Sequence, residues 1–383
     1  MEDFKIMEKK RVCVLTSVHF NNDNRVYYKE VISLRNLGYN VVYIAPNLQD
    51  RIENGIKYVN VNKPKQLIKR WLGFYRIFKL AKKQECFIYH FHDPELIPTG
   101  LLLKWFTRSK VIYDVHEDYP SAMLTKYYLK RWSKKVLFHL MKYLEHVSDK
   151  NFDAIVVADN FVYKHFNPEK TTILYNFPSL KLMKDAEEKI DNVSKKEYDI
   201  IFPGSLTRFT VELIIGIVKE AKDRGYLIKC LLISPYIFSG GKQWVINRIK
   251  ELSIEEQFLL MDRIPPYEVP KYLKLTKVGL IPLQDNSKLR ANIPTKIFEY
   301  MFCRLPVITG DLPPSRQFLA KDSFGYLVDP NSCSEYTDRI IELLNDENKA
   351  HRMGDLGRKL VEEKYNWEKE EIKMKELYER LCK

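Results

Sequence analysis

No apolar run in this sequence approaches the ~18 residues needed to span a bilayer. Its opening residues, MEDFKIMEKKR, mix both charges and hold no signal-peptide core, so a cytoplasmic protein is expected. The six cysteines, Cys13, Cys86, Cys230, Cys303, Cys333 and Cys382, are scattered with no Cys-x-x-Cys pair. That spacing argues against a disulfide framework and a zinc ribbon. A Walker A loop and a Gly-x-Gly-x-x-Gly fingerprint are missing, which disfavours ordinary P-loop and dinucleotide chemistry. Neither His-Glu-x-x-His nor Asp-x-Asp occurs, and no metal or other cofactor is expected.

What is present suits two folded domains. The chain has 383 residues, 45% hydrophobic and 13% aromatic. The net charge of +13 is uneven, being +11 over residues 1–190 and +2 over residues 191–383. A basic first half implies an anionic partner for that half.

Short apolar runs alternate with amphipathic stretches in both halves. In the first, strands are predicted at Val12–Thr16, Val41–Ala45, Lys57–Val61, Phe87–Phe91, Val111–Val115, Ala154–Ala158 and Thr172–Tyr175. Helices are predicted between them at Arg25–Leu37, Lys65–Lys83, Glu95–Trp105 and Tyr128–Val147. The charged run at residues 181–197 reads as a linker. The alternation then restarts, with strands at Asp199–Pro203, Leu227–Ile233, Phe258–Leu260, Val278–Ile281 and Val307–Ile308. Helices follow at Thr210–Asp223, Lys242–Leu252, Pro266–Leu275, Thr295–Phe302, Ser334–Leu344, Ala350–Glu363 and Trp367–Leu381. The pattern predicts two Rossmann-like, doubly wound parallel-sheet domains, residues 1–180 and 198–366, facing a cleft.

Chemistry concentrates in Leu289–Asp311, LRANIPTKIFEYMFCRLPVITGD. Pro-Thr-Lys opens a short helix, so a helix start, Lys296 and Glu299 fall within about two turns. Such a group suits a nucleotide-sugar: phosphate at the helix start and lysine, a ribose diol on the carboxylate. An ordinary amphipathic helix packed through Ile297, Phe298 and Met301 is the alternative. The second half opens with IIFPGSLTRF, where Gly204 and Ser205 allow close backbone approach and Arg208 can bridge phosphate oxygens.

In the first half, two neighbouring strands end in polar residues. One ends in HFHDPEL, with His90 and His92 on one face and Asp93 beyond; the other leads into His116, Glu117 and Asp118. We take His92, Asp93, His116 and Glu117 as candidate active-site residues, with adventitious zinc binding as the rival reading. The loop SVHFNNDNRVYYKE carries His19, Asp23 and Arg25 where a Rossmann domain usually carries glycines. It suits acceptor contact or simple capping of the next helix. Residues 63–83 and 126–150 hold eight and seven Lys/Arg among aromatic residues. They fit an anionic membrane surface or solvated helix faces; no nucleic-acid module is recognisable.

Together these motifs resemble glycosyltransferase family 4, also called group 1, most closely in DRIPPYEVPKYLKLTKVGLIPL, NIPTKIFEYMFCRLPVITGDLP, FGYLVDP and YNWEKEEIKMKELYERL. The resemblance implies the GT-B fold and a retaining transfer of sugar from a nucleotide-diphosphate donor to a glycan or lipid-linked acceptor, in cell-surface polysaccharide or glycolipid assembly. It implies no metal, since Asp-x-Asp holds the ion in the other major glycosyltransferase architecture; a peripheral place on the inner face of the plasma membrane is a separate expectation that rests on the two basic aromatic stretches. It assigns Glu299 to the donor ribose, Arg208 and Lys296 to the diphosphate, and His116 to the transferred sugar, and brings the last helix, residues 367–383, back onto the first domain. The family's first glutamate would stand at 291, where this chain has Ala291; the resemblance offers Asn292 as the polar contact in its place, and Thr295 is a further donor-side candidate. An epimerase of the same fold and a non-catalytic nucleotide-sugar-binding subunit are the alternatives.

Overall fold

The apolar runs Val12–Leu15, Val41–Ala45, Ile88–Phe91, Val111–Val115 and Ala154–Val157 contain almost no alternation, the pattern of strands covered on both faces. In the structure, a computed structural model describing residues 10–19, 23–61, 73–125, 129–190, 195–265, 268–319 and 324–383, they form the centre of one sheet. The chain divides into two units, residues 1–176 with 367–383, and residues 177–366.

The first unit holds β1 (Arg11–Leu15), β2 (Asn40–Pro46), β3 (Arg51–Glu53), β4 (Ile56–Val61), β5 (Ile88–Phe91), β6 (Lys110–Val115), β7 (Ala154–Val157) and β8 (Thr171–Ile173). Their order is β3-β4-β2-β1-β5-β6-β7-β8, parallel except for β3 against β4. Strand order reverses between β1 and β5, the place where such sheets bind ligands. One face buries Leu15, Phe91, Tyr113 and Phe152; the other buries Val14, Tyr43, Val156 and the helix Trp367–Cys382. That last helix inserts Met374, Leu377 and Tyr378 into the core, and its Trp367 Nε1 donates to Ser33 Oγ at 3.0 Å.

The second unit holds β9 (Tyr198–Pro203), β10 (Cys230–Ile233), β11 (Phe258–Met261), β12 (Thr276–Ile281), β13 (Val307–Gly310) and β14 (Gly325–Val328). All are parallel, in the order β11-β10-β9-β12-β13-β14, with the reversal between β9 and β12. The short helix Lys296–Phe302 packs on this sheet through Ile297, Phe298, Tyr300, Met301 and Phe302. Gly279 in β12 makes room for it: a Cβ there would lie 2.2 Å from the Tyr300 ring.

Several elements depart from the sequence reading. Residues 181–188 are not linker but part of a helix, Leu180–Glu188, capped by Ser179. Its Glu187 pairs with Arg358 at 3.1 Å and Lys274 at 3.4 Å, so its charges are used within the unit. The first helix begins with a π-helical turn, Val26–Val31, before Ile32–Asn36. Arg208 is the first residue of the helix Arg208–Asp223, with Thr207 as its cap, rather than part of the preceding loop. The short strands β3 and β14 and the helices Asn160–Tyr163 and Pro313–Leu319 were too brief to leave a periodic pattern. Residues 65–72, Tyr128 and residues 266–267, included in predicted helices, lie outside the described residues, as do residues 126–127 and 191–194.

Candidate functional site

Each unit gathers polar residues where its strand order reverses. In the first, the loop after β1 is tied to the loop after β5. Asp93 Oδ2 accepts from Thr16 Oγ1 at 2.7 Å and from the Ser17 amide at 2.6 Å, while Ser17 Oγ donates to Glu95 at 3.0 Å. Asp93 is thus a buried clamp between the two loops, with its other oxygen 3.7 Å from His19 Nε2. Asp23 holds the other ring nitrogen of His19 at 2.9 Å and accepts from the amides of Arg25 and Val26. It therefore performs the capping role and also orients the histidine. Burial disfavours the imidazolium of His19, but the Asp23 hydrogen bond and the charges of Asp93 and Asp23 outweigh it and raise its pKa.

Beneath that loop lies a buried polar cluster. Asp114 sits inside the apolar β6 and receives Arg25 Nη2 on both oxygens, at 3.1 and 3.0 Å. His90 and His92 project from the same face of the β5 edge, with ring centroids 4.8 Å apart. His90 Nδ1 bonds Tyr378 Oη at 2.7 Å, and His92 Nδ1 lies 3.1 Å from His116 Nε2. His116 follows β6 directly, with its side chain 16% exposed, and its Nε2 is 3.6 Å from Asp114. Burial lowers the pKa of His92 and of His116 and favours their neutral forms. Asp114 is also disfavoured as an anion by burial, yet Arg25 and His116 hold its carboxyl well below the usual range.

His92 and His116 are therefore brought together. Glu117 is half-buried beside them, and Asp118 caps the helix Tyr119–Thr125 by accepting from the Ser121 amide at 3.1 Å. Glu30, His90, His92 and Asp114 bring one ligand atom each within 4.8 Å of one another. Arg25 is the cation at this point, 3.0 Å from Asp114 and 3.1 Å from Glu30. Sequence reasoning missed Arg25 as a core residue, and Glu30, Asp114 and Tyr378 altogether. The one available signal was an acid, Asp114, inside an apolar strand.

In the second unit, the loop after β9 and the start of the helix Lys296–Phe302 meet. Gly204 donates its amide to Ile233 O at 2.9 Å, and its own carbonyl accepts from Ser234 Oγ. The Lys296 side chain fills the space beside Gly204: a Cβ there would lie 2.6 Å from Lys296 Cε and 2.8 Å from Nζ. The lysine head also lies 5.6 Å from the Phe202 ring centre. Ser205 is exposed, while Asn292, Thr295 and Glu299 are half-buried. Thr295 stands at the helix start without a side-chain cap bond, and Ala291 is 2% exposed. Arg208 is turned to Glu212 at 2.9 Å and stacks over Trp244 at 4.6 Å, so its contacts do not include Lys296. An exposed pair of this i,i+4 kind contributes only about 0.3–0.5 kcal/mol, so Glu212 holds the guanidinium weakly.

The comparisons agree with this division. Residues 183–360 match the family model described as glycosyl transferases group 1, and residues 24–177 match that described as glycosyltransferase family 4. An uncharacterized glycosyltransferase of Methanocaldococcus jannaschii is 20% identical over 379 residues, covering 90% of each chain. Among solved structures, a sucrose-phosphate synthase from Thermosynechococcus elongatus superposes with a TM-score of 0.74 at 15% identity, covering 97% of this chain and 99% of that one. An Anabaena protein solved with UDP-glucose superposes with a TM-score of 0.70 at 10% identity, covering 97% and 99%. The two parallel-sheet units have the GT-B architecture.

Proposed function

Because the chain belongs to the glycosyltransferases of group 1 and family 4, we propose that it moves a sugar from a nucleotide-diphosphate donor to a hydroxyl of a glycan or lipid-linked acceptor, with retention of configuration. The observation that carries this reading is Lys296 seated against Gly204 where β9 ends, at the reversal of strand order. A lysine held there meets the charge that develops on a departing diphosphate, and the bare backbone of Gly204 lets phosphate approach it. Arg208 joins it by leaving Glu212. Glu299, three residues along the same helix, accepts from the ribose hydroxyls, and Asn292 and Thr295 add polar contacts. Solved relatives in this fold hold UDP and UDP-glucose, which supports a nucleotide-sugar donor.

In the first unit, His116 contacts the transferred sugar. Retention at the anomeric carbon follows when the acceptor attacks on the face the phosphate leaves, the phosphate taking the acceptor's proton. The C–O bond to phosphate breaks as the new C–O bond forms, so no separate base is required. Two cationic side chains and a carboxylate for ribose suffice for the nucleotide end without a metal. The product belongs to cell-surface polysaccharide or glycolipid assembly.

A membrane-facing position for the enzyme is supported by a specific surface. The helix Arg131–Asn151 exposes Trp132, Val136, Leu140 and Tyr143 at helical spacing, among Arg131, Lys135 and Lys142. Of the other basic stretch, residues 63–72 lie outside the described residues, and the helix Phe74–Lys82 exposes Tyr75 beside Lys79. Among the described residues, no helix is long and apolar enough to cross a membrane.

The test is product analysis with a panel of nucleotide-sugars. Acceptor-dependent release of nucleoside diphosphate with an axial or equatorial linkage matching the donor supports the proposal. Donor conversion without acceptor identifies an epimerase, and donor binding without turnover identifies a binding subunit; either result rejects it.

A further inference from the structure

The loops that follow β9 and β10 are tied to each other by their backbones. The Leu206 amide donates to Ser234 Oγ at 3.0 Å and to Pro235 O at 3.1 Å, and Leu206 O accepts from the Ile237 amide at 3.0 Å. Each loop then enters a helix, Arg208–Asp223 after β9 and Gly241–Glu251 after β10. The tie therefore sets Arg208, the first residue of one helix, against the first turn of the other, which carries Trp244. There the guanidinium carbon of Arg208 lies over the Trp244 ring, 4.6 Å from its centre.

Trp244 is itself seated. The Phe238 ring meets it edge to face, with centres 5.7 Å apart and planes at 83°. Gly240 precedes the helix with a φ of 83°, and a Cβ there would stand 3.0 Å from Trp244 Cβ. Glycine supplies both the left-handed turn and the room for the indole. The ring is thus a fixed plate under a long, otherwise mobile side chain.

The contacts of Arg208 leave one edge of the guanidinium open. The indole covers one side of the group, and Nε donates to Glu212 Oε1 at 2.9 Å. Among the described residues neither Nη atom has a hydrogen-bond partner. That outer edge is the one that fits two phosphate oxygens. Attraction to a ring face depends on where the cation sits over the ring and little on its in-plane heading, whereas the bond to Glu212 is directional. The guanidinium can therefore give up Glu212 and stay on Trp244.

We infer that Trp244 is a positioning residue for the donor: it holds the Arg208 guanidinium ready for the diphosphate and is the plate on which that group turns from Glu212 to phosphate. The inference rests on the diphosphate role proposed for Arg208 and adds what orders it beforehand. Without the indole the charge remains, but an exposed arginine samples many rotamers, and the ligand must then order it at an entropic cost.

The test is calorimetric titration with the tightest binder among UDP, GDP, ADP and TDP, in wild type, Arg208→Gln, Trp244→Leu, Trp244→Phe and the double variant of Arg208→Gln with Trp244→Leu. Arg208→Gln should weaken binding about tenfold, through lost charge-assisted hydrogen bonds. Trp244→Leu should weaken it about fivefold, and Trp244→Phe, which keeps a ring face, by about twofold or less. The double variant should bind no more weakly than Arg208→Gln, since Trp244 acts through the arginine. Equal affinity of wild type and Trp244→Leu, with Arg208→Gln weakened, overturns the inference and leaves the role of Arg208 standing. A fully additive loss in the double variant also overturns it, because Trp244 would then touch the ligand itself. Unchanged affinity in Arg208→Gln removes the role of the arginine and the inference with it. Thermal denaturation checks the fold of each variant, and Trp244→Met replaces Trp244→Leu if the latter unfolds. In the free protein, the side-chain proton signals of Arg208 should lose an indole ring-current shift in Trp244→Leu; unmoved signals contradict the stack.

Discussion

At the scale of single residues, the site depends on a missing side chain as much as on those present. Gly204 leaves the volume that Lys296 occupies. Its φ of 159° is one that residues with a Cβ rarely adopt, so an alanine there strains the backbone as well as meeting the end of the lysine side chain. Gly204→Ala should therefore lower the melting temperature and also weaken nucleoside diphosphate binding about tenfold, as the lysine is pushed from its seat. Calorimetry and thermal denaturation on the same sample check both halves, and unchanged nucleotide affinity would mean that Lys296 in its present seat does not bind the diphosphate. The placement of Lys296, Glu299 and His116 on a short helix and just past a strand end was legible because charged residues there are conspicuous. Glu30 was not, since YYKEVISL reads as an ordinary helix and its burial comes from a π turn that no periodicity announces. Asp93 was picked out as a candidate for chemistry, and the structure gives its better-bonded oxygen to holding the β1 loop.

At the scale of elements, the helix Arg131–Asn151 carries two opposed features. Its outer side exposes Trp132, Val136, Leu140 and Tyr143, and its inner side buries Glu145 with one oxygen lacking a hydrogen-bond partner. Burial, with the nearby Asp118 charge adding, pushes the Glu145 carboxyl up to about 8. Between its ordinary value and about 8 the folded protein binds the extra proton, so stability is full at acid pH and falls as pH rises across that window. Glu145→Gln should then match the wild type near pH 5 and melt higher near pH 8.5; a uniform shift at both pH values would refute the assignment. For the outer face, replacing Trp132 and Leu140 with serine should reduce flotation with anionic vesicles and leave melting unaffected. Equal flotation on neutral and anionic vesicles would remove the charge argument. The sequence disclosed the basic residues of this helix but not which way its aromatic residues face. The helix Leu180–Glu188 was obscured for a related reason: its charges, read as solvated, make pairs with Lys274 and Arg358 that lie far off in sequence.

At the scale of the whole molecule, two parallel sheets were legible because unalternating apolar strands at regular spacing admit few other packings. The exchange of the last helix is read from contacts: Trp367, Met374, Leu377 and Tyr378 complete the core of residues 1–176, and Tyr378 reaches His90. Through that tyrosine the C-terminus of the chain helps to hold the histidine cluster, a link between distant segments that local patterning cannot supply. The proposed donor residues lie in the second unit, and the account stands or falls on them. Its most direct test is calorimetric titration of the tightest-binding nucleoside diphosphate from a panel into wild type and Glu299→Ala. Loss of a charged acceptor for the ribose hydroxyls should weaken binding by about tenfold or more, corresponding to roughly 1.5–3 kcal/mol. Equal affinity in the two proteins would contradict the assignment of this site to the nucleotide.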